Sequence, residues 1–366
     1  MILSELGVCP KYIILLVRKV LGTYSELQSA MAHQMLQASP PSQAQVRGRQ
    51  LQERESRKKL PVQPSLQVDH KPHPHSIKKM VLNWRDGGEA PFEMIRGAAV
   101  VDGNMVYFLH RFGYIYSYDS CSKKWRELPP CPHDLCSLAI VNDHVTAIGG
   151  DVDFEDTNKL LSLQSEWIEV FPPMPTNRSW AAAVTTKEHL IVAGGYKSGV
   201  GILTTVEVMD TRILVWSTVA SLPHPYRQTS VAIYGDQLYM LGGEDDNGKT
   251  KSVLTCSLTE LLQSSSSSSS IWHRVADAPA YLSTCAAVNG GLLAVGGCDE
   301  DLKPSFAIHK YNPIATTNSW DLISNMPTAR YQSLVAGLPT NEMMVVGGSD
   351  EYGFTKNIVE IANYYS

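Results

Sequence analysis

No stretch of this 366-residue chain is apolar for long enough to cross a bilayer. The best candidate, within KYIILLVRKVLG (11–22), offers six consecutive apolar residues between charges, where a spanning helix needs roughly 20. That segment also lacks the basic lead and small-residue cleavage site of a secretory leader, so no membrane partner is expected. Charge is sparse as well: Asp, Glu, Lys and Arg make up 18% of the chain, against about 25% in ordinary soluble domains. The seven cysteines are odd in number and follow no framework spacing, which argues against a disulfide scaffold and for a reducing, cytoplasmic setting. His-Glu-x-x-His and Gly-x-Ser-x-Gly are both missing, which removes two common hydrolase arrangements.

What the chain has instead is repetition. Apolar strands run into Gly-Gly at VTAIGG (145–150), LIVAGG (190–195), LYMLGG (238–243), LLAVGG (292–297) and MMVVGG (343–348). Their second glycines lie 45, 48, 54 and 51 residues apart. A second series keeps step: Trp84, Trp125, Trp167, Trp216, Trp272 and Trp320, mostly with a proline seven residues on or a Pro-Pro pair close by. Proline removes a ladder donor and is expected to end the pairing of each Trp strand. A period near 50 residues built of short strands is the mark of a propeller, whose units must stack to bury their faces.

The spacing also predicts topology. Between each proline and the next tryptophan there is room for three strands, as in SWAAAVTT (179–186), HLIVAG (189–194) and TTVEVMD (204–210), ahead of a Trp strand at 214–219. Small, β-branched and aromatic residues alternating between Gly, Asn and Asp favour strands over helices. The last strand, NIVEIAN (357–363), has no Trp strand after it, and MVLNWR (80–85) has no partners before it. Pairing the two closes an all-β, six-bladed ring and leaves no open edge. The expected division is an N-terminal helical or disordered segment with linker at 1–79 and a propeller at 80–366.

The apolar-Gly-Gly unit with a later Tyr and Trp, for instance Tyr118/Trp125 and Tyr311/Trp320, resembles the kelch repeat over about residues 80–366. The first blade departs from it, with MVYFLHR (105–111) where Gly-Gly is expected. WD-type repeats fit less well, since Gly-His is absent and Trp-Asp occurs only at Trp320-Asp321. The resemblance implies a protein-interaction scaffold or adaptor, with no cofactor and no resident metal.

The N-terminal segment differs in character. Residues 1–79 carry 12 Lys/Arg and 5 Asp/Glu; residues 80–366 carry 19 and 31. An acidic propeller is a poor partner for nucleic acid, whose phosphates call for clustered Lys and Arg. QAQVRGRQLQERESRKK (43–59) is Gln- and charge-rich, and PVQPSLQVDHKPHPHS (61–76) reads as an extended Pro-rich linker. This stretch reads equally as a linker or as the tail of a domain lying outside the chain.

Two motifs invite chemistry and are set aside on context. Cys131-Pro-His133-Asp-Leu-Cys136 supplies three ligands where structural zinc needs four. Gly243-Glu-Asp-Asp-Asn-Gly248-Lys249-Thr250 matches a phosphate loop by letter. It leads into a strand-like KSVLTCSL (251–258) rather than a helix, and its three acids would repel phosphate. Ser264–Ser270 reads as a disordered insertion between the third and fourth strands of blade four.

In an antiparallel blade the loop after strand two and the loop joining blades share one face. The joining loops carry Arg96, Arg178, Arg227 and Arg330, with the aromatics Tyr226, Tyr281 and Tyr331; the loops after Gly-Gly carry acids. In kelch domains this face often holds a short peptide, which implies partner binding at these seven residues by an acidic or mixed-charge motif. Alternatively, the arginines pair with carboxylates and knit blades together. The catalytic alternatives are a sialidase-like or a copper-oxidase-like propeller, yet sialidase Ser-x-Asp-x-Gly-x-x-Trp boxes are missing and no local motif marks a copper site. No catalytic residue is assigned.

Overall fold

The structure is a computed structural model that describes residues 81–94, 97–268, 271–288, 290–313, 318–353 and 356–365. The expectations for residues 1–79 lie outside the described residues, as does Arg96.

Six four-stranded antiparallel sheets make up the described chain, joined by short connections. Blade three is typical: Ala182–Thr185, His189–Ala193, Val206–Asp210 and Val215–Thr218 pair in that order. The first strands of successive blades touch one another in a closed circuit, ending where Leu334–Leu338 meets Ala98–Asp102. Second strands are buried on both faces, so Leu190 to Ala193 are all at most 3% exposed. That is why each reads as an uninterrupted apolar run before its Gly-Gly pair. Between blades three and four, Ile191, Val208, Leu238, Met240 and Leu254 interdigitate in one cluster, and comparable clusters fill the other blade interfaces.

Closure follows the expected scheme. Val81–Met94 adds to Lys356–Tyr365 as the outer strand of blade six, with Trp84 opposite Ala362. Arg85 ties it further, its Nη2 lying 3.0 Å from Glu342 Oε1. The strand does not stop before Pro91, as the proline rule predicts, but runs on to Met94. Its register shifts between Asp86 and Glu89 and again between Glu89 and Met94. Pro91 therefore occupies an interrupted stretch of an edge strand, where no ladder donor is required.

The two repeat motifs have distinct jobs. Tryptophans of the outer strands donate their indole N–H to the backbone of the preceding blade: Trp167 to Pro129 O at 2.7 Å, Trp216 to Pro172 O at 3.0 Å, Trp272 to Ala220 O at 3.2 Å and Trp320 to Ala276 O at 3.1 Å. The Gly-Gly pairs let the next connection pass in contact. A Cβ on Gly149 or Gly296 would overlap the carbonyl oxygen of Arg178 or Arg330, and both glycines have φ of +61°. In blade one Gly113 (φ +79°) takes this place against the Cys131 carbonyl, which explains how the blade dispenses with the pair.

Blade four holds the only helix among the described residues, Leu258–Gln263. Ser257 caps it by accepting from the Glu260 N–H, the Ser-x-x-Glu arrangement that favours a helix start. The sequence places Leu258 in the strand and Ser264–Ser270 in a disordered loop. Instead the strand ends at Ser257, and Ser264 Oγ donates to Leu261 O at 2.7 Å while accepting from Ala220 N–H at 3.0 Å. The first serine of the tract is thereby anchored. Among the described residues no helix is long and apolar enough to cross a membrane.

Candidate functional site

The connections between blades and the loops after Gly-Gly pair with each other on one face. Short bridges link Asp134 to Asp151, Ser179 to Tyr196, Arg227 to Glu244, Tyr281 to Cys298 and Tyr331 to Ser349. These bridges put five blades in register. One residue after each comes a non-glycine residue in left-handed backbone: Leu135, Trp180, Gln228, Leu282 and Gln332, with φ between +52° and +56°. Their N–H groups reach round the axis, Trp180 N–H to Leu135 O at 2.9 Å, Gln228 to Trp180 O at 3.0 Å and Gln332 to Leu282 O at 3.2 Å. All five line a central cavity of about 250 Å³, whose walls come from the first strands.

The register separates the arginines. Arg178 and Arg330 lie one residue before the bridge and are fully enclosed in the blade wall. Arg178 Nη2 lies 2.9 Å from Glu207 Oε2, and its Nη1 donates to Gly194 O at 2.8 Å and Thr205 O at 3.1 Å. Arg330 repeats the arrangement with Glu360 Oε2 at 2.7 Å, Gly347 O at 3.0 Å and Ile358 O at 3.2 Å. Each arginine's own carbonyl accepts from a Gly-Gly N–H of the preceding blade, Gly150 or Gly297. Both arginines therefore tie adjacent blades together. Burial pushes both guanidiniums below their ordinary pKa, with the paired carboxylate pulling the other way.

Their acid partners are not the loop carboxylates suggested by the sequence but Glu207 and Glu360, in the third strands. In blade four the two matching places hold Tyr226 and Leu254, both buried in the apolar cluster against blade three. Tyr331 is buried with Leu282 and Cys298, and Tyr281 packs half-buried beside them. Lys251 Nζ stands 5.0 Å from the Tyr281 ring centre. So Arg178, Arg330, Tyr226 and Tyr331 present little or no side chain to a partner, because their positions face the wall.

Arg227 occupies the bridge position itself and faces outward. Its Nη2 is 2.8 Å from Glu244 Oε2. Its Cζ lies 4.8 Å from the Trp180 ring centre and 5.5 Å from that of Tyr196. This partly exposed cation, held by a carboxylate and two rings, is the one described candidate arginine on the mouth.

The rim holds features that the sequence reading passed over. Phe112 and Tyr114 in blade one, Phe154 in blade two, Val200 in blade three, Leu302 in blade five and Tyr352 in blade six are all exposed, up to 76% for Tyr352. Every one lies in a loop joining second and third strands, hence on the same face. Exposed acids stand among them, including Asp153, Glu155, Asp246, Glu300, Asp301 and Glu351. Loop tips carry no periodicity, so only the closed ring reveals them as one surface.

The two motif candidates resolve plainly. Cys131 Sγ and Cys136 Sγ are 4.0 Å apart, but His133 Nδ1 donates to Gly149 O at 2.9 Å. Among the described residues no group of three His, Cys, Asp or Glu could hold a metal ion. A hydrogen bond with Cys131 and burial raise the Cys136 thiol well above its usual range. The phosphate-loop letters form the hairpin Glu244–Asp245 with Gly248–Lys249 and then a strand, Val253–Ser257, rather than a helix. Lys249 Nζ donates to Glu300 O at 3.3 Å.

Comparison with known proteins agrees with this architecture. A family model described as Kelch motif matches residues 178–223 and 279–327. Kelch-like protein 25 of Xenopus tropicalis is 25% identical over 231 residues, covering 58% of this chain and 36% of that protein. Kelch-like protein 35 of Mus musculus is 25% identical over 244 residues, covering 65% and 39%. The matched region thus spans well under half the length of these relatives. The solved structure of YjhT superposes with a TM-score of 0.62 at 16% identity, covering 76% of this chain and 99% of that one. At that identity the likeness speaks to the fold alone.

Proposed function

We propose that this chain, a kelch-repeat β-propeller, is a non-catalytic interaction module that captures a protein partner on the face carrying the central mouth. The observation that carries this reading is the set of exposed apolar side chains on one face, one or two from each of five blades, standing among carboxylates. Exposed apolar groups gathered on one surface favour an interaction site. The loops that bear them hang from a rigid ring of inter-blade hydrogen bonds, which lowers the ordering cost of binding.

The positions of the arginines support an interaction role over a sialidase-like one. An arginine clamp on an anionic substrate needs free guanidiniums, and those of Arg178 and Arg330 are occupied by Glu207, Glu360 and backbone carbonyls. The same fact changes the partner chemistry. With those arginines neutralised and the rim rich in exposed acids, a segment bearing apolar side chains beside Lys or Arg complements the surface better than an acidic motif. Arg227 on its Trp180–Tyr196 platform, with half-buried Tyr281, lies toward the centre of this surface. By sequence, Arg96 belongs to the corresponding joining loop ahead of blade one. We place this activity in the cytoplasm, away from membrane and nucleic acid.

Affinity capture from cell extract tests the reading. Phe154→Ser/Tyr352→Ser should lose the partners that wild type retains, with unchanged melting temperature. A matched change on the opposite face, Ile213→Ser/Val215→Ser, should not. An identical partner set in the first variant would refute the assignment of the face, and turnover of a glycan or alcohol would refute the non-catalytic role.

A further inference from the structure

Cys131 Sγ and Cys136 Sγ stand 4.0 Å apart in the connection from blade one to blade two, and both thiols are free. Cys131 is 5% exposed, whereas Cys136 is half-buried on the wall of the central cavity.

The repeat shows that this pairing is particular to one connection. Each connection can be counted from its left-handed residue, Leu135, Trp180, Gln228, Leu282 or Gln332. Four places before it and one place after, the residues matching Cys131 and Cys136 are Thr176 and Ala181, His224 and Thr229, Ala278 and Ser283, and Thr328 and Ser333. Thr176 and Thr328 donate to Glu207 and Glu360, the acids that pair with Arg178 and Arg330. In the connection into blade two, the arginine place holds His133 and the acid place holds Leu161. No ion pair can form there. Leu161 instead shares an apolar cluster with both cysteines.

The backbone holds the two thiols in place. Cys131 N–H donates to Gly113 O at 2.8 Å and Leu135 N–H to Arg111 O at 2.9 Å, both in blade one. Asp134 exchanges backbone hydrogen bonds of 2.9 and 2.7 Å with Asp151 in blade two. Fixed in this way, the sulfurs share a high effective concentration. Bonding requires them to close from 4.0 Å to about 2.05 Å. Rotation about the Cα–Cβ bond of half-buried Cys136 supplies a movement of that kind.

We infer that Cys131 and Cys136 form a reversible disulfide under hydroperoxide, fastening the connection between blades one and two where the buried ion pair is missing. The thiolate of Cys136, the sulfur nearer solvent, attacks one peroxide oxygen. The O–O bond breaks, hydroxide leaves, and Cys136 becomes a sulfenic acid. Cys131 Sγ then attacks Cys136 Sγ, the S–O bond breaks, and water leaves with the Cys131 proton. Two thiols are oxidised by two electrons, and hydrogen peroxide is reduced to two waters.

A hydrogen bond with Cys131 first, and then burial, hold the Cys136 thiol well above its ordinary pKa. Thiolate is therefore scarce at neutral pH and oxidation is slow. The same thiol is a poor leaving group, so reduction is slow as well. The pair thus answers sustained oxidant rather than a brief pulse.

The full chain is incubated with hydrogen peroxide, alkylated, digested with trypsin and weighed. Peptide Glu127–Lys159 holds both cysteines and no other. It should become lighter by two hydrogens and take up no alkyl group, and dithiothreitol should restore both thiols. The oxidised chain should melt about 4 °C higher than the same sample after dithiothreitol, because the closed loop restricts the unfolded chain. In Cys131→Ser, which lacks the resolving sulfur, Cys136 should gain oxygen instead. Oxygen added to Cys136 in wild type while Cys131 still alkylates would show that the sulfurs cannot meet, and would overturn the inference. So would an unchanged peptide after prolonged peroxide, or an oxidised chain that melts no higher than its reduced form.

Discussion

Removing Arg330 tests whether the enclosed arginines hold the ring together or meet a partner. Arg330→Ala leaves Glu360, 4% exposed, as a buried carboxylate whose remaining hydrogen-bond partner is the Thr328 hydroxyl at 2.7 Å. It also strips donors from the carbonyls of Gly347 and Ile358. Breaking a buried pair from one side typically costs about 3–5 kcal/mol. At about 2 °C per kcal/mol for a domain of this size, the melting temperature should fall by about 6–10 °C. Blade four supplies the control, since it fills the same two places with Tyr226 and Leu254. Arg330→Tyr/Glu360→Leu should therefore recover most of the loss, because a buried pair seldom outperforms a packed apolar one. The lowered pKa of Arg330, due first to desolvation, points the same way. The assay is thermal melting of the two variants beside Glu360→Leu alone. If Arg330→Ala melted within about 2 °C of wild type, the buried pair would not be stapling the blades. If it also lost its partners, Arg330 would belong to the binding surface after all.

Further outcomes follow from the same geometry. Gly149→Ala, which drives a Cβ into the Arg178 carbonyl at φ +61°, should prevent stable folding, whereas Gly103→Ala, with φ +54° and open space around it, should cost about 1 kcal/mol; melting curves separate the two. Burial first, and Arg111 second, lower the His110 pKa from 6.5 to about 4. Its contribution to stability is complete above the unfolded value of 6.5 and is lost as pH falls toward 4. After allowance for its partial exposure the change is about 1–2 kcal/mol, and His110→Phe should flatten that part of a melting-temperature profile. Deleting residues 1–94 should destabilise the propeller by baring the edge of Lys356–Tyr365, while deleting 1–76 should leave its melting temperature unchanged. We propose that the domain boundary falls at about residue 80, so limited proteolysis should cut between Gln43 and Ser76 before any site within 80–366.

The repeat count, the blade topology and the pairing of the two ends were all legible from local patterns. An apolar run into Gly-Gly reports a strand buried on both faces followed by a turn that only glycine can take past a neighbouring carbonyl. A tryptophan at a fixed phase reports an outer strand stapled to the blade before it. These are properties of one repeat, restated by the Gly-Gly pair in five blades and by the tryptophan contact in four. What the linear chain could not settle was which way each loop residue faces. Arg178, Arg227 and Arg330 look alike in the sequence, yet a one-residue offset from the inter-blade bridge puts two in the wall and one on the mouth. The capped helix at Leu258–Gln263 was written in Ser257 and Glu260 but masked by the strand pattern before it. The exposed tips from Phe112 to Tyr352 come together on one face only when six blades close. Their assembly depends on contacts between residues far apart in the chain, and no local propensity encodes it.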